Sequence, residues 1–376
     1  MPFHLLDITM FYARHGGGVK RYLFCKRDWC LRHGISHTML VPGRKTACTQ
    51  NIMTVASPPI PFSGGYRFPV NMMRFAKAIE QLKPDILEVG DPYQLAWLSQ
   101  SVSKRSNLPI AAFYHSDLPK LAALKLGKPF ESLGRHYVKK LYSGFDLVLA
   151  PSQRMVDELE SMGIRHVAHQ PLGVDVELFQ PQKKQDLHKQ LGLSPEVKLL
   201  VYAGRFSKEK NIPALLETIG LLGNHYHLLL IGSGMRIPKL ANVTHVRYLT
   251  SSEALAKMLA SCDALIHAGD QETFGLVVLE AMACGLPIIG IRQGGVVELV
   301  DEHCGLLVEK PKATLLAEAV RMLFSEDWAR FGQYGREKVL KNYQWNHVLS
   351  LLMQKYASLL GVALMLDEQP HLHLAT

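Results

Sequence analysis

Short aliphatic runs alternate with longer amphipathic stretches along the chain, and this alternation occurs twice. In the first half, the aliphatic runs predict strands over residues 3–8, 36–41, 85–90, 109–114 and 146–150. In the second half, they predict strands over residues 197–204, 226–232, 263–269 and 286–291, again with helices between them. Strands separated by helices are typical of βαβ units, which build parallel sheets. The pattern therefore predicts two α/β domains.

The boundary between the halves is predicted from a segment that is rich in Pro, Gln and Lys and lacks sustained periodicity. We predict an N-terminal domain over 1–169, an interdomain linker over 170–195 and a C-terminal domain over 196–345. Residues 346–362 have the pattern of one more amphipathic helix, and the tail over 363–376 is expected to fray. The length of 376 residues suits two domains of ordinary size.

Composition and charge narrow the class of protein. Hydrophobic residues make up 48% and charged residues 20%, which predicts a globular chain, and the net charge is +9. This charge suits nucleic acid, an anionic membrane face or a phosphate-bearing substrate, but no recognised nucleic-acid motif is present, so we expect no nucleic-acid partner. The chain starts without the pattern of a secretory signal, which predicts a cytoplasmic protein. The spacing of its six cysteines and 17 histidines predicts no zinc site.

The strongest candidate for chemistry is HAGDQETFGLVVLEAMACGLPIIG, over residues 267–290. In parallel sheets, ligands bind beyond the carboxyl ends of the strands, where a helix N-terminus offers free amides and a partial positive charge. We expect the Glu272 and Glu280 carboxylates to accept hydrogen bonds from sugar hydroxyls there. The amides expected to meet sugar or phosphate oxygens belong to Phe274, Gly275 and Leu276. The alternative is two surface carboxylates on an ordinary βα unit.

A second candidate is YAGRFSKEKN, over residues 202–211, where Arg205 and Lys210 follow the end of a predicted strand. Two cations at this position suit a pyrophosphate, because charge-assisted hydrogen bonds contribute about 1.5–3 kcal/mol each. The next predicted strand is followed by Gly232 and Gly234. The third glycine of a dinucleotide fingerprint is missing after them, so that fingerprint fails.

Two candidates lie in the first half. HGGGVKRYL, over residues 15–23, follows the first strand, and Gly17 and Gly18 are the expected backbone contacts to a ligand. AFYHSDLP ends the fourth strand and delivers His115 and Asp117 to the carboxyl end of the sheet. The alternatives are a flexible turn for the glycines and a structural role for the histidine.

The segment that carries Glu272 and Glu280 resembles the E-x7-E motif of family 4 glycosyltransferases (GT4). These enzymes have the GT-B fold, in which two Rossmann-like domains with parallel sheets face each other across a cleft. The resemblance implies that Glu272 contacts donor-sugar hydroxyls and Glu280 the ribose hydroxyls. It implies that Arg205 and Lys210 bind the diphosphate and offset the charge of the leaving group.

The same resemblance extends over nearly the whole chain. It places Gly17 and Gly18 near the donor phosphates and His115 against the donor sugar. It implies that Gly232 and Gly234 shape the nucleotide pocket. The N-terminal domain would bind the acceptor, the C-terminal domain would bind the nucleotide sugar, and the final helix would pack back on the N-terminal domain.

The implied activity is that of a retaining hexosyltransferase, which moves a hexose from a UDP- or GDP-hexose to an acceptor. It implies no metal and no other cofactor. A non-catalytic protein that binds nucleotide sugars is a less favoured alternative. The sequence leaves open the donor, the linkage, the catalytic base and the oligomeric state.

The acceptor is predicted from residues 120–145, which hold six Lys or Arg and one acid. On a helical wheel, the side chains that share the apolar side are Leu133, Tyr137, Val138 and Leu141. This pattern is typical of an interfacial helix with its basic side toward anionic headgroups. The chain also resembles most the GT4 branch that glycosylates diacylglycerol-type lipids. We therefore expect a lipid or lipid-linked acceptor and a peripheral position on the inner face of the cell membrane; the alternatives are an ordinary domain helix and a polysaccharide or soluble acceptor.

Overall fold

The chain runs from a first structural unit to a second and then returns to the first, as a computed structural model of the protein shows. The structure describes residues 3–13, 17–61, 63–182, 187–247, 249 and 251–364. Met1–Leu172 and Asn346–Thr376 belong to the first unit, and Gly173–Trp345 forms the second. His15 and Gly16 of the glycine segment, and the predicted tail beyond residue 364, lie outside the described residues.

The first unit contains a sheet in which the described residues form eight strands. These are β1 His4–Ile8, β2 Ser36–Gly43, β3 Ala47–Thr49, β4 Ile52–Ala56, β5 Ile86–Val89, β6 Ile110–Phe113, β7 Leu147–Ala150 and β8 Val167–His169. Their order is β3-β4-β2-β1-β5-β6-β7-β8, and only the β3–β4 pair is antiparallel. Because the chain leaves β1 toward β2 and later continues on the other side at β5, the carboxyl ends of β1 and β5 form a switch point, where open α/β sheets bind ligands.

The helices that connect these strands are α1 Gly18–Arg32, α2 Met72–Leu82, α3 Gln94–Ser106, α4 Leu118–Leu126, α5 Pro129–Tyr142 and α6 Gln153–Ser161. Phe75, Leu95 and Leu141 from α2, α3 and α5 pack into one core with the sheet. This core is continuous because each of these helices presents an apolar stripe to one face of the sheet, where the strands place apolar side chains.

The second unit contains a parallel sheet with six strands in the described residues. These are β9 Lys198–Ala203, β10 Tyr226–Ile231, β11 Val243–Val246, β12 Ala264–Ile266, β13 Ile288–Ile291 and β14 Gly305–Val308. The helices around them are α7 Leu187–Leu191, α8 Ile212–Leu222, α9 Ser252–Ala260, α10 Leu276–Ala283, α11 Val296–Leu299, α12 Ala313–Ser325 and α13 Trp328–Asn342. The order is β11-β10-β9-β12-β13-β14, so the switch point lies at β9 and β12.

The predicted α/β class is confirmed, and every predicted strand occurs with its ends shifted by a few residues. The structure adds five strands that the sequence pattern did not predict, namely β3, β4, β8, β11 and β14. Four of these are edge strands, namely β3, β8, β11 and β14, and β4 lies next to an edge. Edge strands are short and partly exposed, so they lack the continuous apolar run that marks a central strand.

The last helix, α14 Trp345–Leu360, packs on the first unit. The indole Nε1–H of Trp29 donates to Asn346 Oδ1 at 2.7 Å, and the Gln170 amide donates to the Val348 carbonyl at 3.0 Å. Tyr356 is fully buried against the same unit. The chain therefore uses a segment from its far end to cover the sheet of the first unit.

The basic segment over 120–145 forms α4 and α5, and its apolar residues divide between core and surface. Val138 and Leu141 are fully buried in the first core, whereas Leu133 is 62% exposed. The prediction that the apolar side of this helix faces a membrane is therefore wrong for Val138 and Leu141. At Gly134, an added Cβ would lie 2.9 Å from Pro119 Cα, so α5 packs closely on the start of α4 through that side.

No helix in the described part of the chain is long and apolar enough to cross a bilayer.

Candidate active site

In the second unit, the candidate active site is built around the loop between β12 and α10, which carries Glu272. Lys210 Nζ forms an ion pair with Glu272 Oε1, and His267 Nε2 lies 3.0 Å from the same oxygen. His267 follows β12 directly and is buried, whereas Lys210 comes from a 3₁₀ turn over Lys208–Lys210 that follows β9. The neighbouring strands β9 and β12 thus bring together two residues that the sequence analysis predicted, Lys210 and Glu272, and one that it did not, His267.

The charge of Glu272 is set by these two neighbours. Burial alone raises the pKa of the Glu272 carboxyl, but the Lys210 ammonium and the His267 hydrogen bond outweigh burial and hold that pKa well below its usual range. Glu272 is therefore ionised near neutral pH and fixed in orientation. An ionised carboxylate accepts hydrogen bonds from hydroxyl groups strongly, which suits a sugar.

We expect this ion pair to make stability depend on pH. The pKa of Glu272 is lower in the folded chain than its value of about 4.3 in the unfolded chain. The Glu272 ion pair therefore contributes fully to the free energy of unfolding above about pH 4.3, and this contribution is lost as the pH falls toward the folded pKa. The Tm difference between the wild type and Lys210→Met should be largest near neutral pH and should narrow below about pH 4. Thermal melts across this range test this, and a difference that is constant with pH would contradict it.

The backbone of the Glu272 loop is held by a glycine pair that follows β13. The Gly295 N–H donates to the Glu272 carbonyl at 2.8 Å. At Gly294, where φ is +67°, an added Cβ would lie 2.2 Å from that carbonyl oxygen, and at Gly295 it would lie 2.5 Å from the Thr273 oxygen. Neither glycine was predicted from the sequence, although a glycine pair shortly after a predicted strand is similar to the signal that singled out Gly232 and Gly234.

The loop after β9 carries the second predicted cation. Arg205 is exposed, and its carbonyl accepts a hydrogen bond of 3.1 Å from the Tyr202 hydroxyl. The Tyr202 ring lies 5.8 Å from the His267 ring. Tyr202 therefore connects the backbone at Arg205 with the group formed by His267, Glu272 and Lys210.

Gly232 and Gly234 let two neighbouring loops pack with their backbones in contact. An added Cβ at Gly232 would lie 1.8 Å from the Gly204 oxygen, and one at Gly234 would lie 2.6 Å from the Phe206 oxygen. The Phe206 N–H also donates to the Ser233 carbonyl at 2.7 Å. These glycines thus shape the loop that carries Arg205.

The remaining predicted residues of the second unit lie at the start of α10. Gly275 is the N-cap residue with φ +106°, and Leu276 is the first residue of the helix. Phe274 is buried, with its ring 6.2 Å from that of Tyr343, so only its backbone suits ligand contact. Glu280 is 3% exposed and lies in the second turn of α10. The Glu272 loop leads directly into the N-terminus of α10, so both follow the carboxyl end of β12.

Four predicted residues belong to the first unit. His115 follows β6 with its ring stacked on Phe113 at 4.3 Å, and burial, together with the Lys26 charge, lowers the pKa of His115 to about 3. The imidazole is therefore neutral near neutral pH. Asp117 caps α4: its Oδ1 accepts from the Lys120 N–H at 3.2 Å and its Oδ2 from the Lys120 ammonium at 2.7 Å.

The glycine segment after β1 gives less support to its predicted role. Gly17 is the N-cap residue of α1 and Gly18 is its first residue. An added Cβ at Gly17 would meet no atom within 4 Å, and its φ of −85° is open to other residues. The structure therefore shows no packing reason for glycine at position 17. The predicted residues as a whole divide between the units, with these four in the first and the others in the second.

Two family models together match most of the chain. The model described as Glycosyltransferase Family 4 matches residues 16–178, and that described as Glycosyl transferases group 1 matches residues 183–338. The chain belongs to glycosyltransferase family 4. Each of the two matches corresponds to one of the two α/β units, and the second contains the Lys210 and Glu272 loops.

Relatives of this glycosyltransferase span most of its length. It is 28% identical over 320 residues to a GDP-mannose-dependent alpha-mannosyltransferase of Corynebacterium glutamicum, with 83% of this chain and 76% of the relative covered. It is 26% identical over 338 residues to a GDP-mannose-dependent alpha-(1-6)-phosphatidylinositol dimannoside mannosyltransferase of Mycobacterium tuberculosis, with 85% and 87% covered.

Among solved structures, the sucrose-phosphate synthase of Thermosynechococcus elongatus superposes with a TM-score of 0.77 at 21% identity, over 95% of this chain and 99% of that one. This likeness shows a shared fold. The predicted GT-B fold is therefore confirmed, and the family models and the relatives confirm the predicted enzyme class.

Proposed function

We propose that this glycosyltransferase transfers a hexose from a nucleoside diphosphate sugar, with retention of configuration, to a lipid or lipid-linked sugar at an anionic membrane surface. The observation that carries the transfer reaction is the Lys210–Glu272 ion pair at the start of α10. It joins a cation suited to a diphosphate and a carboxylate suited to sugar hydroxyls.

On the donor side, the reaction breaks the bond between the anomeric carbon and the phosphate oxygen. In our proposal, Lys210, Arg205 and the amides at the start of α10 stabilise the charge that develops on the leaving diphosphate. Such preorganised groups act by electrostatic stabilisation. The acceptor attacks on the face from which the diphosphate leaves, and the diphosphate takes the acceptor proton.

Protein cations fill the role of a metal ion in this scheme, so we propose that turnover needs neither a metal nor another cofactor. Both relatives described above are named for GDP-mannose, which supports GDP-mannose as the first donor to test. UDP-hexoses are the alternative donors.

On the acceptor side, the first unit exposes aromatic and aliphatic side chains near the carboxyl ends of β1 and β5. The Phe11 ring lies 6.4 Å from Tyr66 and 5.9 Å from Tyr93, which is 40% exposed. The Trp97 Nε1–H donates to the Tyr137 hydroxyl at 3.2 Å. Aromatic side chains with an apolar body and a polar tip suit both sugar rings and the membrane interface.

Helices α4 and α5 of the same unit also expose apolar side chains. Leu126 and Leu133 are 63% and 62% exposed. The same two helices carry the cations Lys120, Lys125, Lys139 and Lys140, and Lys128 is the N-cap residue of α5. Exposed leucines among lysines suit an anionic bilayer surface, where each cation contributes about 1 kcal/mol. One relative is named for a phosphatidylinositol-based acceptor, which agrees with this choice.

We expect the protein to float with liposomes that contain anionic lipid and to lose this binding as salt is raised, because salt screens the lysine charges. Leu126→Ser with Leu133→Ser should weaken flotation. The control is Leu221→Ser in α8 of the second unit, which removes a leucine that is 46% exposed and should leave flotation unchanged.

The same protein, incubated with GDP-mannose or a UDP-hexose and with lipid or soluble acceptors, should glycosylate the lipid fraction. Absence of flotation at low salt together with turnover on a soluble sugar would overturn the lipid acceptor and leave the transferase assignment intact.

A further inference from the structure

The first unit contains a cluster of charged side chains that the transfer reaction does not use directly. Lys26 Nζ of α1 lies 2.7 Å from Asp7 Oδ1 of β1 and 2.5 Å from Glu88 Oε2 of β5. All three side chains are at most 2% exposed. Burial of charges costs several kcal/mol per ion unless each is paired and hydrogen-bonded, so the partners of this cluster are important.

Three more groups complete these pairings. The Tyr22 hydroxyl lies 3.0 and 3.1 Å from the two carboxylate oxygens of Glu88, and His37 Nε2 lies 2.7 Å from Asp7 Oδ2. The Tyr356 hydroxyl donates to Glu88 Oε2. Tyr356 lies on α14, so a residue from the far end of the chain supplies one of the donors to the Glu88 carboxylate.

Tyr22 connects this cluster with His115. The Tyr22 ring meets the His115 ring edge to face at 5.5 Å, and Phe113 stacks on His115 at an interplanar angle of 6°. At Gly90, an added Cβ would lie 3.8 Å from His115 Nε2. The imidazole thus contacts two aromatic rings, which also contact each other at 5.1 Å, and it lies beside a glycine. The Tyr22 ring is itself held through its hydroxyl on Glu88.

We propose that Glu88 is a positioning residue for the transferase: it fixes the Tyr22 ring against His115, and Tyr356 of α14 completes the hydrogen bonds of its carboxylate. This inference rests on the proposed function and on the position of His115 against the donor sugar, which the resemblance to family 4 glycosyltransferases implies. In this proposal, α14 covers the sheet of the first unit and also supplies the Tyr356 hydroxyl, on which the orientation of His115 depends.

The physical reason lies in the number of donors around one buried carboxylate. Without the Tyr356 hydroxyl, Glu88 keeps Lys26 and Tyr22, and its carboxylate is free to rotate toward Lys26. The Tyr22 hydroxyl must follow or lose its acceptor, and the face that it presents to His115 changes. A small misplacement of a group at the reacting centre lowers the rate strongly, whereas donor binding through Lys210 and Glu272 of the second unit is unaffected.

The test compares Tyr356→Phe with Asn346→Ala. Both variants remove one hydrogen bond of α14 to the first unit, but Asn346 pairs with Trp29 and lies outside the Glu88 cluster. We expect Tyr356→Phe to lower kcat about tenfold with donor KM within about twofold. Asn346→Ala should keep wild-type kcat even where its Tm falls as much as that of Tyr356→Phe. Tyr22→Phe, which keeps the ring and loses only the hydroxyl, should behave like Tyr356→Phe.

A second measurement does not depend on activity. The NMR resonances of the His115 ring, assigned with His115→Asn, report the ring currents of Tyr22 and Phe113. They should shift in Tyr356→Phe and Tyr22→Phe and stay unchanged in Asn346→Ala. Unchanged resonances in Tyr356→Phe would overturn the positioning role, whichever substrate the enzyme uses. A shift without any loss of kcat, or an equal loss of kcat in Asn346→Ala, would overturn it as well.

Discussion

Lys210→Met should lower kcat about 10²–10³-fold, which is the effect of removing one group that stabilises charge in a transition state. The variant loses the ammonium that pairs with Glu272 and that we propose to contact the diphosphate. Methionine keeps the length and the apolar part of the side chain, so packing changes little. Steady-state kinetics with a matched donor, together with a thermal melt, provide the measurement.

Lys208→Met is the matched control for this experiment, because Lys208 is an exposed cation of the same 3₁₀ turn. It should keep kcat within about threefold of the wild type, since screened surface charges have small effects. Lys210 is a cleaner probe than Glu280, which is almost fully buried, so that its replacement disturbs packing as well as binding. Near-wild-type turnover of Lys210→Met would contradict the assignment of the active site to this loop.

Gly294→Ala should reduce turnover about 10-fold to 100-fold by moving the Glu272 loop, since small displacements of reacting groups are costly. Its Cβ would lie 2.2 Å from the Glu272 carbonyl oxygen, where no side chain fits, and alanine at φ +67° adds strain of about 1–3 kcal/mol. The loop must shift, and the hydrogen bond from the Gly295 N–H to Glu272 must lengthen. Kinetics and Tm of the purified variant measure both effects.

Two further variants separate the causes. Gly294→Asn tolerates the left-handed backbone but still carries a Cβ, so it should remain impaired if crowding of the Glu272 carbonyl is the reason. Gly220→Ala is the control within the same unit, because its Cβ would meet no atom within 4 Å. It lies inside α8 and should be neutral or more stable by about 0.5–1 kcal/mol. Full activity of Gly294→Ala would show that this glycine does not hold the loop.

Several features of this glycosyltransferase were predictable from the sequence alone. Central parallel strands are buried on both faces, so β1, β5, β9 and β12 each contribute a recognisable apolar run, and the alternation with amphipathic helices predicts the α/β class. The carboxyl ends of parallel strands meet at one edge, and both charged segments were expected to bind a ligand beyond the carboxyl ends of their strands. This is where the structure places Lys210 and Glu272.

Other features were decided only by tertiary packing. Edge strands such as β3 and β11 are stabilised by one neighbour and carry no strong local pattern. Val138 and Leu141 fit an interfacial helix by their spacing, but the core that covers them is formed by distant segments.

Tertiary packing also decided the Glu88 cluster, because Lys26 and Tyr356 lie 62 and 268 residues from Glu88 along the chain. A local sequence pattern records which residues are apolar or charged, whereas the pairing of buried charges depends on which segments meet in space.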